Sequence, residues 1–160
     1  VNGDATRPIG EGKKVIPHIT NDLNAWGSGF VVALSKRWSE PERRYRKTMA
    51  NTLPESRLGV IDFVQVEDDV TVVNMCSQHD IRPSADGIPP IRYDVLRKCL
   101  KEVNQYCQLR NATVHAPRFG AGLSGGSWEI IEQIIKDEIT VNVIIYDYVD
   151  NTFGAPVFKK

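Results

Sequence analysis

The stretch that most restricts this chain is Pro117-Arg118-Phe119-Gly120-Ala121-Gly122-Leu123-Ser124-Gly125-Gly126-Ser127-Trp128-Glu129. A short run before it, Ala112-Thr113-Val114-His115-Ala116, reads as a strand, and residues 128–135 after it are apolar at helical spacing. Four glycines in seven positions lie between the two. Glycine admits positive φ and lets backbone N–H groups approach a ligand, and Ser124 or Ser127 is placed to cap the following helix. Strand, glycine loop and helix N-terminus together can hold phosphate without a lysine. The alternative is a loop whose glycines only turn a tight corner.

The theme occurs twice. Residues 15–20 predict a buried strand, with Pro17 limiting its pairing. Asn21 and Asp22 follow, and the segment Trp26-Gly27-Ser28-Gly29-Phe30 leads into a helix over 30–38. Two such loops facing one cleft would hold both ends of an extended anionic ligand. A second helix starts near Ser39 or Glu40, with Pro41 in its first turn, and ends near Asn51. Its basic cluster, Arg43, Arg44, Arg46 and Lys47, reads as a solvated face.

Residues 59–66 and 70–76 predict a hairpin turning at Asp68-Asp69. A polar loop with three prolines spans 77–90, and a long amphipathic helix spans 91–108. A last strand is expected over 141–148, followed by a polar tail from 149 to 160. Residues 2–6 read as the end of a first strand, with Asp4 either closing a turn or accepting from a ligand amine. Strands alternating with helices, plus one hairpin, make an α/β fold, a mixed central sheet between two helical layers, in a single domain over 1–160. In such sheets ligands lie at the carboxyl ends of the strands, where both glycine loops fall.

Twenty basic residues balance twenty acidic ones, which argues against a broad positive field gripping nucleic acid. No apolar run approaches the roughly 18–20 residues that span a bilayer, so no membrane partner is expected. Cys76, Cys99 and Cys107 lack a metal spacing and read as reduced thiols of a cytoplasmic protein. His18, His79 and His115 fall on separate elements, so no metal is expected, and His115 reads as a satisfied core or surface residue. Neither loop is followed by Gly-Lys-Ser/Thr, and no dinucleotide fingerprint follows the first strand, so no cofactor is expected.

A neutral cleft for a pyrophosphate and its attached groups remains. Asn21 and Asp22 are placed to hold ribose hydroxyls or a water, while Trp26 and Phe30 pack either on a sugar face or in the core. Together Gly3-Asp4-Ala5-Thr6, residues 18–30 and the segment from Pro117 to Leu123 resemble a macrodomain over nearly the whole chain. The branch it resembles contains the terminal ADP-ribose protein glycohydrolase and related ADP-ribose 1″-phosphate phosphatases.

That resemblance implies an ADP-ribose cleft in a three-layer α/β/α fold. Asp4 would meet the adenine amine beside the Ala5 backbone, and Tyr148 would flank the adenine. Gly120, Ala121, Gly122, Leu123, Ser124, Gly125 and Gly126 would cradle the pyrophosphate. Trp26, Gly27, Ser28, Gly29 and Phe30 would wrap the distal ribose, with Asn21 and Asp22 as catalytic residues at its anomeric end.

The chain departs from the glycohydrolase at its catalytic groups. No lysine occurs between Lys47 and Lys98, and the position after the Gly-x-Gly-Leu segment is Ser124. The covalent lysine mechanism therefore does not carry over, and a held water is needed, with His79 and His18 as weaker acid/base candidates. The expected function is removal of O-linked mono-ADP-ribose from a protein carboxylate or a nucleic acid acceptor by a monomeric single domain. The alternatives are a reader that only binds ADP-ribose and an ADP-ribose 1″-phosphate phosphatase.

Overall fold

The computed structural model of the chain describes residues 1–122 and 124–148. The longest strand is β3 (Val70–Gln78), in which every residue but Thr71 is buried. Alternation along it sends Val73 and Met75 to one face and Val72 and Cys76 to the other, so two separate cores need covering. β1 (Lys14–Asn21) lies parallel to β3, and β2 (Ile61–Glu67) returns antiparallel to it as the expected hairpin. β4 (Thr113–Pro117) and β5 (Val143–Tyr146) continue in parallel, giving the order β2-β3-β1-β4-β5. The mixed sheet between helical layers is thus observed.

One face is covered by α3 (Tyr93–Arg110) and α4 (Trp128–Glu138), which bury Leu96, Cys99, Leu100, Ile131 and Ile134 against Val15, Val114 and Ala116. The other is covered by α1 (Phe30–Arg37) and α2 (Glu40–Ala50), which bury Leu34, Tyr45 and Met49 against Ile16 and Val72. The β1–β4 ladder is confined to Lys14 and Val15 and lapses before Pro17, which has no N–H to offer it. Among the described residues no helix is long and apolar enough to cross a membrane.

Of the boundaries that differ from expectation, three have a visible cause, one local and two long-range. Residues 2–6 form no strand but a single bridge, Asn2 to Asp147, because Asp4 Oδ1 accepts from the Thr6 amide and hydroxyl and turns the chain away. β3 runs to Gln78, since Gln78 pairs with both Asn21 and Ile91, so the loop begins at His79. The long helix begins at Tyr93, not Ile91, because the Ile91 amide donates to the Ser124 carbonyl and the Arg92 amide to that of Ser77. This last segment stitches the end of β3 to the glycine loop. The tail over 149–160 and Leu123 lie outside the described residues.

Candidate functional site

The carboxyl ends of β1, β3 and β4 open into one cavity of about 320 Å³. Both glycine loops line it. From the first come Trp26, Gly27, Ser28, Gly29 and Phe30; from the second, Gly120, Gly122 and Ser124; and Asn21 borders it at the end of β1. Arg118 is the only charged side chain among the described lining residues, and no carboxylate reaches the wall.

Each loop has a physical reason to expose donors. α1 starts at Gly29, with φ of 82°, no side-chain cap and no acidic residue in its first turn, so its leading N–H groups are open to the cavity. In the second loop Gly120 has φ of 80°, and the Gly126 amide donates to the Gly120 carbonyl at 2.8 Å. A Cβ on Gly126 would sit 2.5 Å from that carbonyl oxygen, so this closure admits only glycine. The closure also corrects the expected cradle. Gly125 and Gly126 use their N–H groups on Gly122 and Gly120, whereas Gly120, Ala121 and Gly122 have N–H groups that make no hydrogen bond among the described residues.

Two spacings that were expected to be absent, a dinucleotide-type glycine fingerprint and a nucleophile elbow, are present in this segment. Gly120-x-Gly122-x-x-Gly125 follows β4 and opens into α4, the arrangement of phosphate-binding loops. Gly122-x-Ser124-x-Gly126 has the spacing of a nucleophile elbow, but Ser124 Oγ donates to Gln78 Oε1 and touches no base among the described residues. Gln78 and Ser124 form a neutral pair in the cavity wall, and Gln78 was missed because the sequence placed it in the 77–90 loop and not at the end of β3. Ser127 occupies the N-cap position of α4, yet its side chain makes no capping bond.

Asn21 is held more firmly than expected. Its Oδ1 accepts from the Leu23 and Ala25 amides and from the Tyr45 hydroxyl, and its Nδ2 donates to the Ala25 carbonyl. The side chain thereby builds the turn that carries Trp26 into the cavity. Trp26 packs in the core among Tyr45 and His18, donates to Ser35 at 2.8 Å, and also lines the cavity.

Asp22 does not line the cavity. It is 7% exposed, its Oδ1 accepts from the Asp80 amide at 2.7 Å, and its Oδ2 lies 2.7 Å from His79 Nδ1. The bulge where β1 slips against β3 at Asn21 sets it beside these residues. Asp4, Ala5 and Tyr148 also lie off this cavity, near the end of β5. Ala121, Gly125 and Gly126 belong to the loop but not to the wall.

His18 forms part of the wall and is fully buried. Asn74 donates through Nδ2 to the Pro41 carbonyl, so its Oδ1 must accept from His18 Nε2–H at 2.6 Å. Burial pushes His18 down to about 4, which leaves a neutral ring whose Nδ1 lone pair has no partner among the described residues. His115 is a satisfied core residue as expected. Tyr146 Oη accepts from the Ile9 amide and donates to His115 Nδ1, and His115 Nε2 donates to Thr113, while burial pushes the ring down to about 4.

No protein-family model matches the chain. A solved Bacteroides thetaiotaomicron protein of unknown function is 48% identical, with a TM-score of 0.88 over 93% of this chain and 96% of that one. A macrodomain protein from Streptomyces coelicolor is 40% identical, with a TM-score of 0.79 over 92% of this chain and 97% of that one. The Chromodomain-helicase-DNA-binding protein 1-like of Danio rerio is 28% identical over 161 residues, and the match spans 15% of that protein's length. A Thermosipho africanus DarTG chain, solved in complex with ADP-ribose, shares the fold at a TM-score of 0.63 and 12% identity, over 84% of this chain and 38% of that one. With matched order, fold and near-complete coverage of the Streptomyces relative, the chain belongs to the macrodomain family.

Proposed function

We propose that the cavity binds ADP-ribose and that the chain removes O-linked mono-ADP-ribose from a protein carboxylate or a nucleic acid acceptor. The observation that carries the binding reading is the pair of glycine loops presenting unpaired N–H groups to one carboxylate-free cavity. Backbone donors and a helix N-terminus suit a pyrophosphate, and Arg118 brings a guanidinium to the wall, paired there with Asp147 at 2.5 Å. The Thermosipho africanus DarTG chain, which shares the fold and was solved with ADP-ribose, supports the choice of ligand. An ester to a carboxylate suits the hydrolase reading, because its leaving group departs as a carboxylate and needs no acid.

Binding without turnover is the second reading, favoured by the neutral Gln78–Ser124 pair in the wall. One experiment addresses both: calorimetric titration with ADP-ribose, run beside release of ADP-ribose from a glutamate-modified protein. Micromolar binding with release supports the hydrolase, binding alone supports the reader, and absence of binding refutes the cavity assignment. Replacing Gly122 by a bulky residue should abolish binding under either reading.

A further inference from the structure

We propose that His79 and Asp22 form a proton-accepting dyad at the rim of the cavity, in which His79 Nε2 takes the proton of the attacking water and Asp22 orients the imidazole. The inference rests on the ADP-ribose hydrolase reading and names a base for it that lies outside the cavity wall itself.

Asp22 is a buried carboxylate without a cationic side chain on its oxygens among the described residues. Arg57 lies near but donates to the Asp22 backbone carbonyl, at 3.0 Å. The carboxylate is held instead by the Asp80 amide on one oxygen and His79 Nδ1 on the other, both at 2.7 Å. A carboxylate oxygen accepts, so His79 Nδ1–H donates to Asp22 Oδ2 and the lone pair left to take a proton is on Nε2. His79 Nε2 makes no hydrogen bond among the described residues, and the side chain is 53% exposed.

Position supports the same reading. Asn21, Gln78 and Ile81 all line the cavity, and the dyad sits between them in sequence, where β1 and β3 end together. The His79 amide donates to the Pro90 carbonyl at 2.8 Å, and the Asp22 amide to the Gln78 carbonyl at 3.1 Å, so both backbones are pinned. A carboxylate that fixes the tautomer of an exposed imidazole is the orienting half of a hydrolytic triad, here with water in place of a side-chain nucleophile.

The step balances with water alone. Nε2 removes a proton from water as its oxygen bonds to the anomeric carbon of the distal ribose. The bond from that carbon to the acceptor oxygen breaks, its electron pair leaves with the acceptor carboxylate, and the imidazolium then returns its proton to solvent.

The test uses the full chain, a glutamate-ADP-ribosylated protein and free ADP-ribose. His79→Ala and His79→Gln should lower kcat by about 10²–10³-fold while the ADP-ribose Kd stays within about twofold. Added imidazole should restore part of the activity of His79→Ala and none of that of His79→Gln, a rescue that a merely structural role would not show. Asp22→Asn should lower kcat with KM preserved. Wild-type kcat in His79→Ala would overturn the dyad and leave the hydrolase reading standing. A wild-type chain that binds ADP-ribose but releases none would overturn both while leaving the cavity assignment intact.

Discussion

Gly126 is the residue on which the second loop closes, because any Cβ there meets the Gly120 carbonyl oxygen, which is backbone and cannot swing aside. Gly126→Ala should lower stability by about 1–3 kcal/mol and weaken ADP-ribose binding by roughly tenfold or more, as read from urea unfolding and calorimetry. The two buried histidines set the acid limit of the fold. An unfolded histidine takes up its proton near the ordinary value of 6.5, whereas folded His18 and His115 do so only near about 4. Between these values the unfolded chain holds more protons, so stability is full above 6.5 and falls as pH drops toward 4. Each histidine should contribute a slope of up to about 1.4 kcal/mol per pH unit. The urea midpoint should therefore drop across that window, and His115→Gln should flatten the drop. The sequence left His115 as a core or a surface residue, and it held no sign that His18 is locked to Asn74, because that bond spans 56 residues.

α2 is the element that positions the first loop, a role its composition concealed. Its basic run reads as solvated, yet Arg46, with its side chain still 41% exposed, reaches across to the first loop and donates to the Asn24 carbonyl while pairing with Glu42 at 3.2 Å. Tyr45, buried one residue earlier, donates to both the carbonyl and Oδ1 of Asn21, at 2.7 and 2.9 Å. Tyr45→Phe removes one hydroxyl and leaves the ring packed, so the fold should lose only about 1 kcal/mol. The turn that delivers Trp26 would loosen, and the ADP-ribose Kd should rise several-fold in a calorimetric titration. Helix identity was legible because Pro41, Tyr45 and Met49 recur at helical spacing. The reach of Arg46 to the first loop was not legible, since a helix face shows which residues share a side but not what loop lies over it.

Across the whole molecule, the two cores share β1 and β3, so unfolding should be a single transition and any ligand held at their carboxyl ends should stabilise both layers. At a hundredfold excess over Kd, ADP-ribose should add about 2.7 kcal/mol, raising Tm by roughly 5–10 °C for a chain of this size. A scan with and without ligand checks it. The sequence by itself determined the order of strands and α-helices from β1 onward, the α/β class and the placement of both glycine loops at strand ends. Those are local matters of period, β-branching and glycine. The tertiary structure alone decided which donors stay free, that Ser124 is tied to Gln78, and that Asp22 faces His79 rather than the cavity. Asp22 and His79 are 57 residues apart, and their meeting depends on the register and bulge between β1 and β3. Strand register is set by packing across the whole sheet, so no stretch of the chain carries it alone.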